Sequence, residues 1–78
     1  MRITYDPQVN AAYIYLTDAP LDSGRDSIPL EVPEGTGAMV VMDWKDGKIV
    51  GLEVLAATAL LHPDLLALAE PPRPPRTS

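Results

Sequence analysis

The carboxylate in the most unusual setting is Glu53, within Val50-Gly51-Leu52-Glu53-Val54-Leu55. Apolar surroundings penalise the charged form, so such a group can hold its proton and serve as a general acid or base. The plainer expectation is a strand-face charge that pairs with Arg or Lys at an interface, because structural ion pairs occupy the same kinds of place. Tyr13 and Tyr15 come next. Two positions apart on a strand, they share one face. There they could stack on a ligand, donate a proton, or be covered by a second protein, since tyrosine is enriched in interface cores. Tyr5 and Trp44 add two more large aromatic surfaces. The ligand-or-interface set is therefore Tyr5, Tyr13, Tyr15, Trp44 and Glu53, with Glu53 the sole catalytic candidate.

Asp6, Asp43 and Asp46 could together hold a divalent cation, but nothing in their spacing fixes them near one another. Asp6 precedes Pro7 and Asp46 precedes Gly47, and both pairs read as turn-forming residues. His62 stands before Pro63 with no Ser, Cys or Asp at a spacing that suggests a triad partner, so it is expected to cap a helix or face solvent. With no cysteine and one histidine, neither a disulfide nor a structural zinc site is expected. No metal and no cofactor is expected.

The elements that must position these residues follow from periodicity. Residues 2–5 alternate polar and apolar as a half-buried strand does, and Asp6-Pro7 ends it. Residues 12–16 form a second strand with Ala12, Ile14 and Leu16 on one face and both tyrosines on the other. Residues 17–25 are a loop. Residues 27–32 could add a short strand, which Pro29 confines to an edge. Residues 38–44 and 49–55 are strongly apolar runs joined by Lys45-Asp46-Gly47-Lys48, where Asp-Gly predicts a type I′ hairpin. Both runs are apolar on both faces and so require cover on both sides. One cover is a short helix starting at His62-Pro63-Asp64, with Leu61, Leu65 and Leu68 at helical spacing. The other is expected to be a second subunit. The last nine residues, Glu70 to Ser78, contain four prolines and read as a disordered, Pro- and Arg-rich tail. Its Pro-Pro-Arg repeat resembles a ligand for a Pro-recognising domain, although a solvated tail is the plainer reading.

At 78 residues the chain is one small domain, spanning residues 1–69, followed by the tail at 70–78. A chain this short buries only about 60% of its unfolded surface, so oligomerisation is the expected remedy. The net charge of −5 disfavours direct binding of nucleic acid and suits a basic protein partner. No apolar run approaches a membrane span and no segment resembles a signal peptide, so a cytoplasmic location is expected.

The stretches ITYDPQVNAAYIYL, MDWKDGKIVGLEVLAAT and LHPDLLALA resemble the YuzE-like family of small bacterial proteins, domain of unknown function 2283. Tyr5, Asp6, Asn10, Ala11, Tyr13, Ile14, Gly47, Val50, Gly51, Glu53 and Leu55 fall on its pattern. Three positions depart from it. Ala56 stands where the family usually has Asp, Asn10 replaces an acid, and Tyr15 stands where a basic residue is common. Two charged positions that could have formed a polar site are thus neutral here. The resemblance implies a small antiparallel sheet with a C-terminal helix and no established activity. Members resemble companions of small toxin-like proteins, which implies an antitoxin-type or other partner-binding role.

The combined reading is an α+β fold: a small antiparallel β-meander of four to five strands, with one short C-terminal helix packed on the sheet. The expected function is a non-enzymatic protein-interaction module acting as a small homodimer. The alternative is a small-ligand binder or enzyme of bacterial metabolism, with Glu53, Asp43, Trp44 and the tyrosines lining a pocket on the sheet face or at the dimer interface.

Overall fold

The computed structural model describes residues 1–19 and 24–72 of the chain. It contains β1 (Arg2–Asp6), β2 (Ala11–Tyr15), β3 (Asp26–Leu30), β4 (Met39–Lys45), β5 (Lys48–Leu55), α1 (Ala57–Leu60) and α2 (Pro63–Leu66). The strands form one sheet in the order β1-β2-β5-β4-β3, and every neighbouring pair is antiparallel. This is the expected α+β fold with one departure from a continuous meander. β5, rather than β3, lies beside β2. The longest strand thereby takes the centre, while β3, exposed along its whole length and carrying Pro29, takes an edge.

Turn chemistry fixes the corners. Asp6 Oδ1 accepts a hydrogen bond from the Gln8 backbone N–H at 3.0 Å, so Asp6 and Pro7 turn the chain out of β1. Asp46 and Gly47 have φ of 52° and 75°, the positive pair that a type I′ turn demands between β4 and β5. Asn10 adopts φ 53° and ties three segments together. Its Oδ1 accepts from the Tyr5 hydroxyl at 2.8 Å and the Thr58 N–H at 3.2 Å, and its carbonyl accepts from Ala57 N–H at 2.9 Å.

The helical cover is split in two. α2 begins where the sequence placed it, with Pro63 in the first turn and His62 Nδ1 accepting from the Asp64 N–H at 3.0 Å. α1 precedes it, and extended Leu61 (φ −93°, ψ 135°) separates the two turns. Helices of four residues have no stability of their own and persist by packing. Ala57 at the start of α1 joins Ala12 and Val54 in the core, with Tyr5, Val40, Leu60, Leu61 and Leu66 packed around them. Register puts Tyr5, Ala12, Val54, Val40 and Leu30 in one row across this helix-bearing face. Ile3, Ile14 and Val50 are the other buried aliphatics, each worth about 1.5–3 kcal/mol when fully removed from water.

Glu70, the first residue assigned to the tail, belongs to the sheet instead. The Tyr5 N–H donates to its carbonyl at 2.9 Å and its N–H donates to the Ile3 carbonyl at 2.8 Å, closing the outer edge of β1. Residues 73–78 of the expected tail lie outside the described residues, as do residues 20–23. Among the described residues, no helix is long and apolar enough to cross a membrane.

Candidate functional site

The face turned away from the helices carries the polar residues. Cross-strand register sets Thr4, Tyr13, Glu53, Val41 and Pro29 in one row, and Arg2, Tyr15, Gly51, Asp43 and Ser27 in the next. At the centre is Asp43, a carboxylate only 4% exposed within an otherwise apolar strand. An isolated charge there is prohibitively costly unless donors surround it. Three do. The Tyr13 hydroxyl donates to Oδ2 at 2.6 Å, the Ser27 hydroxyl donates to Oδ1 at 2.7 Å, and Arg25 Nη1 lies 3.3 Å from Oδ2. The same Arg25 nitrogen also donates to the Tyr13 oxygen at 3.2 Å.

Gly51 makes this arrangement possible. Tyr13 belongs to the row beside Glu53, but its ring leans diagonally across Gly51 to reach Asp43. A Cβ on residue 51 would fall 2.6 Å from Tyr13 Cζ. Tyr15 packs against Tyr13 with ring centroids 4.8 Å apart and planes tilted by 56°. The Arg2 guanidinium lies 4.3 Å over the Tyr15 ring. The result is a ladder running Arg2, Tyr15, Tyr13, Asp43.

Electrostatics suit a fixed scaffold better than a reactive centre. Burial, and then the hydrogen bond and negative charge of Asp43, push the Tyr13 hydroxyl up to about 12, with Arg25 partly opposing. Tyr13 therefore stays protonated through neutral pH and donates to Asp43. Both oxygens of Asp43 are already engaged. Asp43 is also almost wholly buried, so a substrate reaches it only if the cluster around it opens.

The structure groups the sequence-derived candidates unevenly. Tyr13, Tyr15 and Glu53 share the face opposite the helices, and Glu53 is half-buried between Tyr13 and Val41. Tyr5 lies on the other face, bonded to Asn10 beside the core. Trp44 lies past a bulge, where Val50 is the extra residue of β5. Its cross-strand partners there are Ile49 and Asp26. Tyr5 and Trp44 therefore do not join the tyrosine ladder. Asp6, Asp43 and Asp46 sit in a turn, the buried cluster and the hairpin respectively. Arg25 and Ser27 escaped sequence reasoning. The available signal was Asp43 itself, because a lone acid inside a run apolar on both faces must find donors elsewhere. One cleft of about 250 Å³ is lined by Met1, Tyr15, Leu16, Thr17 and Asp18. Another, of about 300 Å³, lies between Tyr5, Pro7, Leu66 and Pro71. Glu53 lines neither.

These features define a small α+β sheet protein with a buried phenol–carboxylate cluster on one sheet face. The chain belongs to the family described as Protein of unknown function (DUF2283), whose model matches residues 2–57. That span takes in all five strands, Gly51, Glu53 and the Asp43 cluster, and ends at the first residue of α1. Neither the curated proteins nor the solved structures contain a match to the chain.

Proposed function

We propose that the chain is a non-enzymatic protein-interaction module that acts as a small homodimer and, in the manner of an antitoxin, engages a basic protein partner. The observation that carries this reading is the size of the core. Among the described residues no large side chain is fully buried, and two of the six buried hydrophobic residues are alanines. Meanwhile Tyr13, Tyr15, Val41 and Leu55 remain half-buried on the face away from the helices, and Met39 is 48% exposed. A chain this small with so little interior gains stability by covering that face. The net charge of −5 favours a basic partner. The burial of Asp43 among its own donors favours binding over catalysis.

Two measurements test the proposal. Light scattering across a hundredfold range of concentration is expected to return the mass of a dimer. Affinity capture from the native host at low salt is expected to recover a basic protein that is released as salt is raised. A monomer at every concentration sinks the dimer, and capture of the protein alone sinks the partner.

A further inference from the structure

We infer that the sheet face bearing Tyr13 and Tyr15 is the self-association surface. A second copy docks on it about a two-fold axis that crosses β2 between Tyr13 and Tyr15, and each copy's Glu53 meets the other copy's Arg2. This rests on the dimeric reading above and adds where the copies meet.

Two groups on this face have unmet requirements. Arg2 Nε is buried without a hydrogen-bond acceptor. The nearest carboxylate oxygen, on Glu70, is 3.8 Å away, beyond hydrogen-bonding distance. Glu53 is half-buried and, among the described residues, forms no hydrogen bond or ion pair. A cation with only a 3.8 Å ion pair to exposed Glu70, and a carboxylate with no partner among the described residues, are complementary to a second copy of that same surface.

Their positions fit a two-fold. Arg2 is cross-strand from Tyr15 on β1, and Glu53 is cross-strand from Tyr13 on β5. β1 and β5 flank β2 on opposite sides. The charges therefore lie on either side of the tyrosine pair, each about one strand spacing, ~4.8 Å, from the line of β2. Arg2 is level with Tyr15 and Glu53 with Tyr13, so the axis that exchanges them crosses β2 between the two tyrosines at an inclination; rotation about it sets each copy's Glu53 over the other copy's Arg2, and the contact forms twice. The packed tyrosines occupy the centre, where buried Tyr and Arg side chains dominate binding energy. Asp43 and Arg25 compensate each other within one copy, so the rest of the ladder brings no unpaired charge to the contact.

Charge exchange tests this directly. Arg2→Glu and Glu53→Arg are made separately, their folding is checked by circular dichroism, and association is followed by sedimentation equilibrium. In a homodimer of either variant two attractive contacts become repulsive, and the dissociation constant is expected to rise about tenfold or more. In an equimolar mixture, the two exchanged charges face each other at one contact with their signs reversed, and the native Glu53–Arg2 pair re-forms at the other. The mixture is expected to regain wild-type affinity as a heterodimer, which a misfolded chain cannot do. A wild-type dimer whose variants associate unchanged, or weakened variants that fail to rescue each other, overturns the proposal. A monomeric wild type overturns instead the dimeric reading beneath it.

Discussion

Gly51→Ala is the most informative single change, because everything except one contact favours alanine. Gly51 has ordinary strand backbone geometry, and alanine in a strand is normally worth about 0.5–1 kcal/mol over glycine. The new methyl would lie 2.6 Å from Tyr13 Cζ and closer still to the hydroxyl. The site has two ways to respond. If Tyr13 stays, the overpacking costs about 1–3 kcal/mol. If it swings aside, Asp43 loses its 2.6 Å donor while remaining buried, and a hydrogen bond to a charged group is worth about 1.5–3 kcal/mol. Net of alanine's own gain, either response costs about 1–2 kcal/mol, a lowering of the melting temperature by about 5–15 °C for a chain of this size. The assay is thermal and urea denaturation at one fixed protein concentration, which holds constant any contribution from association. The decisive control is Tyr13→Ala. With the ring gone, Gly51→Ala should become neutral or stabilising by about 0.5–1 kcal/mol. Equal costs in the two backgrounds, or no cost in the wild type, would refute the role given to Gly51.

The Tyr13 hydroxyl provides a pH signature. Its folded pKa of about 12 exceeds the unfolded value of 10.0, so its contribution to stability is intact below pH 10 and is lost between pH 10 and about 12. Ultraviolet titration should find one of the three tyrosines ionising late, and Asp43→Asn should lower that transition by removing the second cause of the shift. Ala56 holds φ 56° ahead of α1, a left-handed conformation that costs alanine roughly 1–2 kcal/mol. Ala56→Asn, which tolerates that region, is expected to raise stability by about 0.5–1 kcal/mol in urea denaturation.

Local signals carried the fold as far as local physics reaches. Asp46-Gly47 announced its hairpin because only a few residues accept positive φ at both turn positions. The spacing of Tyr13 and Tyr15 was enough to place them on one face, and Pro29 to put β3 at an edge. Pairing of β5 with β2 had no such signal. It joins segments some forty residues apart, and burial of Val50 and Val54 at the centre of the sheet, rather than any turn, selects it. The Asp43 cluster was hidden for the same reason. Its donors come from β2, β3 and the loop before β3, and Arg25 alone looks like an ordinary loop cation. The second helical turn was also unannounced, since α1 depends on Asn10, which holds the backbone of Ala57 and Thr58 from across the sheet.

The two borders of the sheet are protected by different means. At β3, proline withholds a donor from an outermost strand. At β1, protection comes from Glu70, a residue near the end of the described chain, through two backbone hydrogen bonds. Glu70 thus serves as the selvedge of the fabric. Cleavage or fusion beyond Pro72 leaves the border intact, whereas cleavage before Glu70 bares a strand able to recruit another. The same chain would then change from a particle of fixed size into a seed for open-ended growth.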